Sequence, residues 1–301
     1  MIEERLDQQL VALNERYQRL FYSSFNEKEI KKNRYLNNIK TFNFKRIVED
    51  LKYREYAKTH FSLAGNEITC ISHKIDVSDL KIAVYSCIVG KYDTVIEPVY
   101  KEDEIDYLMF TDQDIEWGSA WKIIDLKVDP HYDLLTPTQL NRKIKILQTD
   151  ELRKYDYTVY VDGNIEIVAG ISPIIANMGK SGFGVHYHKS RDCIYDEVVA
   201  VKHLKRVSGE EMEQQIESYR SEGFPSHYGL YENSILIRNN KDVETQHLME
   251  AWWDEYCRYP TRDQLSLPYV IWKEGYKKGK IQILGNDVER NTRFNRINNH
   301  L

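Results

Sequence analysis

Three short stretches concentrate side chains able to do chemistry. The run YTVYVDGNIEI at 157–167 drives a carboxylate, Asp162, and a carboxamide, Asn164, through the end of a series of strand-forming residues, with Gly163 between them. Oxygen donors one residue apart around a glycine suit a hard, hydrated ion such as Mg²⁺ or Mn²⁺ and the phosphate oxygens it carries. The same Asp-Gly-Asn also suits the turn of a β-hairpin, so two readings stand on these residues alone. The stretch HYHKSRDCIYDE holds His186, His188, Arg191, Tyr195 and Glu197, the densest polar group of the chain. His186 and His188 alternate along a strand and share one face; the group is either a self-satisfied hydrogen-bond network at a loop or a recognition site. In TRDQLSLPYV, residues Arg262, Asp263 and Gln264 begin a helix whose continuation (Leu265, Leu267, Tyr269, Val270) is apolar. Thr261 or Asp263 can cap that helix, and a polar side chain at a helix start can also face a ligand while the helix stays buried.

These stretches need a frame, and the runs around them supply one. KIAVYSCIVG reads as a buried strand ending at Gly90, IDYLMFTD as a second ending at Thr111-Asp112, and SAWKIIDLKV as a third. After Pro137, LNRKIKILQTDEL reads as a helix with Asn141, Arg142 and Lys145 near its start; YDYTVYVDGNIEI and GFGVHYH add further strands. Strands alternating with helices, with polar residues gathered at strand ends, predict an α/β fold on a largely parallel sheet. Ligands of such sheets bind beyond the carboxyl ends of the strands, where Asp112 and Asp162 both fall.

The chain has 301 residues, 42% hydrophobic and 30% charged, with a formal net charge of −5. That composition predicts one large catalytic domain with an appendage, and its mild acidity argues against nucleic acid as the main partner. Tyrosine outnumbers phenylalanine 22 to 9, which suits stacking on sugars or bases and equally suits half-buried positions. Cys70, Cys87, Cys193 and Cys257 are far apart and form no C-x-x-C pair, so neither a disulfide framework nor a structural zinc site is expected, and reduced thiols in a cytoplasmic protein are. The opening MIEERLDQQL is too charged for a signal peptide, and no run approaches the ~20 apolar residues of a membrane span. Walker, dinucleotide-binding, H-E-x-x-H and G-x-S-x-G motifs are missing.

The first 78 residues read as a helical extension, with 79–301 as the catalytic domain. Leu6, Leu10, Leu13, Tyr17 and Leu20 form a short heptad seam, expected to pack an amphipathic helix onto its own domain. Residues 28–58 carry a local net charge of +6, either a solvated helix face or a means of docking on an anionic membrane surface or a protein partner. The two tryptophans Trp252 and Trp253 read as core.

In order and spacing, four motif groups resemble a known family: CIVGKYDTVIEP with YLMFTD, LNRKIKILQTD with YDYTVYVDGNIEI, HYHKSRDCIYDE, and GLYENSILIRNN with AWWDEYCRYPTRDQLSLPYV. The family is a glycosyltransferase-like one long labelled a domain of unknown function, found in plant wall- and mucilage-related proteins and in bacterial surface-polysaccharide loci. The resemblance covers about residues 81–275. It implies a GT-A type nucleotide-binding α/β sandwich, distantly similar to glycogenin-like retaining transferases.

Carried onto this chain, the resemblance implies that Cys87 and Tyr92 border the donor nucleotide with Asp112 nearby, and that Arg142 and Lys145 supply cations to the diphosphate. Without it, Arg142 and Lys145 equally suit a solvated helix face. Asp162-Gly163-Asn164 falls where GT-A enzymes carry Asp-x-Asp, with a neutral amide in place of the second carboxylate, so a divalent cation (Mn²⁺ or Mg²⁺) would be held more weakly. His186, His188, Arg191 and Glu197, with Glu232 and Asn233, are implied in acceptor or sugar recognition, and a histidine in completing the metal shell. Asp263 and Gln264 are implied beneath the reacting anomeric carbon. The activity implied is hexosyl transfer, with retention, from a nucleoside-diphosphate sugar to a carbohydrate acceptor in surface-polysaccharide synthesis. Two rivals are a metal-dependent hydrolase built on His186, His188 and Asp162, and a non-catalytic binding subunit that keeps the fold, for which Asn164 speaks.

Overall fold

A computed structural model describes residues 2–24, 32, 36–37, 40–41, 44–66, 73–90, 92–115, 118–204 and 209–297. Cys70 and much of the first half of the basic stretch 28–58 lie outside them. Helices α1 (Ile2–Ser24) and α2 (Phe44–His60) precede strands β1 (Ile82–Ile88), β2 (Ile105–Thr111) and β3 (Lys122–Asp125). Helix α3 (Pro137–Ile146) follows, then β4 (Tyr157–Val161), β5 (Ile165–Ile167) and β6 (Phe183–Tyr187). Helices α4 (Ile194–His203) and α5 (Gly209–Ser221) lead to β7 (Tyr231–Asn239), and α6 (Val243–Arg258) and α7 (Asp263–Lys273) to β8 (Ile281–Ile283) and β9 (Phe294–Arg296).

Among the described residues, seven strands form one sheet in the order β3-β2-β1-β4-β7-β6-β8, with β5 and β9 in a separate pair. Only β7 runs against its neighbours; the other six strands of the sheet share one direction. The mainly parallel α/β fold expected from the sequence is therefore present. Strand β1 shows why. Ala83, Tyr85 and Cys87 join one apolar cluster and Ile82, Val84 and Ile88 the other, one on each face of the sheet. A strand buried on both faces reads as a continuous apolar run, and each large side chain so buried contributes roughly 1.5–3 kcal/mol.

Helix α3 begins where the sequence places it. Thr136 accepts from the Gln139 amide and Gln139 reaches back to Thr136, a capping box with Pro137 inside the first turn; such a cap contributes about 1 kcal/mol. Its end is earlier than expected, at Ile146. The buried Arg238 of β7 donates to the Lys145 and Ile146 carbonyls (3.0 and 2.7 Å), and the Tyr85 hydroxyl donates to the Lys145 carbonyl at 3.1 Å. Side chains from the sheet thus satisfy the carbonyls of the last turn, and a separate short helix, Asp150–Arg153, follows.

Two other expectations are corrected. Strand β5 does not fold back on β4: it pairs antiparallel with β9, so Asp162-Gly163-Asn164 turns the chain out of the sheet and the hairpin reading fails. Helix α1 does not bury its heptad seam. Leu6, Leu13, Tyr17 and Leu20 are exposed, while the helix is held through polar groups. Asp7 pairs with Arg293 at 2.7 and 3.0 Å, and Asn14 and Gln18 donate to the Thr292 and Phe294 carbonyls. Helix α2 packs on α4, where Tyr53 stacks on His203 at 4.0 Å and Asp50 lies 3.1 Å from the same imidazole.

Candidate functional site at the strand ends

The carboxyl ends of β1 and β4 and the loop after β1 open onto a cavity of about 350 Å³, lined in part by Cys87, Tyr92, Asn141, Arg142, Asp162 and Asn164. Three local devices shape it. Gly90 takes a φ of +73°, which turns the chain after β1 at no steric cost. Gly163 is required for a different reason, because a Cβ there would lie 2.8 Å from Ile88 Cγ1. Asn141 donates to the Cys87 carbonyl at 2.7 Å and so locks α3 to the end of β1.

On that frame the structure brings four charged side chains together. Lys145, 2% exposed, lies 2.8 Å from Asp263 Oδ2 and 3.3 Å from Asp162 Oδ1, with its ammonium over the Tyr160 ring. Arg142 Nε is 3.4 Å from Asp263 Oδ1. Burial alone would raise the Asp263 carboxyl; Arg142 and Lys145 beside it overcome that and hold it well below the ordinary carboxylate range. Burial likewise would lower Arg142, but Asp263 and Asp162 push its guanidinium up instead. Asp263 and Arg142 are therefore both charged at neutral pH, and with Lys145 buried against two carboxylates the solvated-face reading of Arg142 and Lys145 is overturned.

Asp263 opens α7 without capping it. The N-cap is Arg262 and makes no side-chain cap bond, while Thr261 donates to Gln215 at 2.6 Å. The capping reading of both residues therefore fails, and the Asp263 carboxylate is turned to the cations instead. Gln264 is engaged at both ends: it donates to the Tyr231 carbonyl (2.8 Å) and accepts from Arg262 (2.9 Å). This brace fixes the start of β7 against the start of α7. Asn233, just beyond on β7, is 4% exposed, and neither its amide nitrogen nor its oxygen has a hydrogen-bond partner in the protein. A buried amide left so is costly, on the order of 1–3 kcal/mol per group. Trp252 is core as expected, its indole donating to the Asp263 carbonyl and to Ser266, whereas Trp253 is half-buried.

The other expected residues lie apart from the cavity lining. Asp112 accepts from the Gly90 amide and the Tyr132 hydroxyl, which makes it a brace for the loop after β1. Arg191 and Glu197 pair at 2.6 Å over the Phe61 ring, and His188 accepts from the Ser190 and Arg191 amides. His186 is fully buried beside Asn291, and Glu232 pairs with Arg296 at 3.0 Å. Burial pulls both His186 and His188 down to about 4, so both are neutral at pH 7. Among the described residues His186, His188 and Asp162 do not converge as metal donors, which removes the geometric basis for the hydrolase reading. Tyr160 and Asn141 were not singled out as site residues. Tyr160 looks like any core tyrosine in sequence, whereas Asn141, one turn into a capped helix, carried a readable signal.

Asp162 and Asn164 offer a divalent ion one carboxylate and one amide. No described residue partners the Asn164 side chain, and Asp162 shares one oxygen with Lys145. That donor set fits an ion that keeps most of its water or takes ligands from a phosphate; it does not fit a cage made by the protein alone.

Among solved structures, the bifunctional glycosyltransferase WbbM in its apo form is similar at 12% identity and a TM-score of 0.42, covering 71% of this chain and 40% of that one. The glycosyltransferase GlyE of Streptococcus pneumoniae TIGR4 is similar at 12% identity and a TM-score of 0.37, covering 68% of this chain and 45% of that one. This chain thus spans less than half the length of either. No curated protein sequence matches it. Residues 53–299 match a family model, and the chain belongs to that family, the TOD1/MUCI70 glycosyltransferase-like domains.

Proposed function

We propose that this glycosyltransferase-like domain moves a hexosyl group from a nucleoside-diphosphate sugar to a carbohydrate acceptor, as a step in surface-polysaccharide synthesis at the cytoplasmic face of a membrane. The observation that carries the proposal is Lys145: a buried ammonium held between Asp162 and Asp263 at the strand ends, with Arg142 beside it. In the transfer, the bond from the anomeric carbon to the diphosphate oxygen breaks, and the acceptor hydroxyl forms the new bond. Lys145 and Arg142 offset the charge that grows on the leaving diphosphate. Asp263, kept ionised, faces the positive charge that develops on the sugar ring, and Gln264 acts as a positioning residue that sets β7 against it.

The four charged groups sum to zero, so a diphosphate would bring uncompensated negative charge. Asp162 and Asn164 are the residues that would hold a hydrated Mn²⁺ or Mg²⁺, which supplies that compensation when bound. An ion-paired carboxylate held far below neutral pH is a poor base, so Asp263 does not take the acceptor proton. This favours proton transfer to the departing diphosphate and retention of the anomeric configuration. Cys87 and Tyr92 would border the nucleotide with Asp112 behind them. Asn233 would offer its orphaned amide to a sugar hydroxyl, and His186, His188, Arg191, Glu197 and Glu232 would shape the acceptor side around it. Residues 1–78 would form a helical extension, packed on the catalytic domain, that docks on a membrane surface or a protein partner. No helix among the described residues is long and apolar enough to cross a membrane.

Calorimetric titration of the full chain with a panel of nucleoside diphosphates, with and without Mn²⁺, tests the proposal. The expected result is saturable binding of one nucleotide that tightens with Mn²⁺ and loses that response in Asp162→Asn. Equal, metal-independent binding by parent and variant would remove Asp162 from the site; no nucleotide binding at all would remove the activity.

A further inference from the structure

The segment R-D-C-I-Y-D-E enters α4 with Cys193 directly before the first helical residue and Asp196 in the first turn. Positions three apart at a helix start share a face. His227 reaches the same place from the loop before β7, where it adopts a φ of +56°. One donor atom from each of Cys193, Asp196 and His227 lies within 4.8 Å of the other two. Donors so spaced can converge by side-chain rotation on an ion with bonds of about 2.0–2.3 Å.

Two further observations point to a ligand there. Asp196 is 4% exposed; its Oδ1 accepts from the Tyr56 hydroxyl at 2.8 Å, but its buried Oδ2 has no hydrogen-bond partner. A buried carboxylate oxygen without a partner calls for a cation or a donor that the protein itself does not supply. Asp192, fully buried, stands 2.7 Å from His227 Nδ1. A carboxylate accepts, so Nδ1 is the donor of that bond and Nε2 is the ring nitrogen left for an ion. That carboxylate–imidazole arrangement orients metal-binding histidines. The His227 side chain is 44% exposed, which gives an ion a route in from solvent.

We propose that Cys193, Asp196 and His227 bind one divalent transition-metal cation, zinc by the chemistry of the donors, with Asp192 orienting His227. Thiolate and imidazole select zinc over magnesium or calcium, and water completes the shell. Binding exchanges the Cys193 thiol proton, which leaves to solvent, for the metal; nothing is oxidised or reduced. The ion would act as a clasp. Tyr56 of α2 bonds to Asp196, and the Gly65 amide donates to Asp192 Oδ2 at 2.6 Å. A Cβ at Gly65 would stand 2.0 Å from the His227 carbonyl, so the N-terminal segment lies directly on the metal-binding residues. The site is separate from the one at Asp162.

The test uses the full chain stripped with chelator and titrated with Zn²⁺ or Co²⁺ alone. The expected result is one tight zinc per chain, a rise in Tm on zinc addition, and a thiolate-to-cobalt charge-transfer absorption. Cys193→Ser should abolish that absorption, while Cys257→Ser, at the exposed thiol, and Asp162→Asn should keep it. His227→Asn tolerates the positive φ, so it keeps the fold and should weaken zinc at least about tenfold. Absence of the charge-transfer band in the parent would overturn the proposal. So would zinc affinity and Tm response unchanged in both Cys193→Ser and His227→Asn.

Discussion

The polar cluster around Lys145 and the one around Arg191 are equally rich in charge, yet they are built differently. Around Arg191 the charge meets its counterpart within the protein, Arg191 with Glu197, and His188 beside them is neutral. Around Lys145 the pairs also exist, but Arg142, Asp162 and Asn164 line a cavity, and the buried amide of Asn233 on the adjoining strand is unspent. Density of polar residues, which made the His186–Glu197 stretch stand out in sequence, marks structure as readily as function. A cluster becomes a candidate ligand site when its charge borders empty volume.

Four experiments can break or sharpen that contrast. The largest effect is expected at Asp263, where Asp263→Asn keeps the shape and removes the charge. Turnover of sugar donor should fall on the order of 10²–10³-fold with nucleotide affinity nearly unchanged; an equal fall in Glu197→Gln would erase the distinction between the clusters. Next, Lys145→Met should weaken nucleoside-diphosphate binding roughly 100-fold and also cost about 3 kcal/mol of stability, because two carboxylates lose their shared cation. Calorimetry and urea unfolding report the two effects separately.

The Arg191 cluster should instead answer to pH through stability. His186 and His188 titrate near 4 when folded, against about 6.5 unfolded. The unfolded chain therefore binds protons first, and stability present at pH 7 is lost as pH falls from about 6.5 towards 4. By pH 5 the loss is on the order of 2 kcal/mol for each histidine. His186→Gln should roughly halve the fall of the urea midpoint between pH 7 and 5, and a parent midpoint already flat there would refute the assignment. Asp263 stays ionised throughout that window, so nucleotide affinity should not follow the same curve. The smallest effect is expected of Asn164→Asp, which restores a second carboxylate and should tighten Mn²⁺ by a few fold; no change would mean that residue 164 does not reach the ion.

Much of the frame is legible in the sequence because it is local. The apolar run of β1, the Thr136–Gln139 cap and the polar residues at the end of β4 and the start of α7 all announce themselves within a few residues. What escaped depends on distant partners. Asp162-Gly163-Asn164 resembles a hairpin because nothing near it tells that β5 pairs with β9, some 130 residues away. The α1 seam misled because the helix is fixed by Asp7 to Arg293, 286 residues on. Gln264 reads as a ligand residue until its bond to the Tyr231 carbonyl is seen. Cys193 and Asp196 are visible as neighbours, but His227 joins them only through the fold.

The way Arg238 and Tyr85 grip the Lys145 carbonyl while its ammonium grips two carboxylates has a mechanical consequence. Helix, sheet and the start of α7 are riveted at one residue, so the distance between the two carboxylates is stiff. Any breathing that admits a ligand must then be taken up by compliant parts, such as the turn at Gly90. A substitution at Arg238, which is not among the residues lining the cavity at Asp162, would slacken the rivet and blur the spacing on which the proposed chemistry depends.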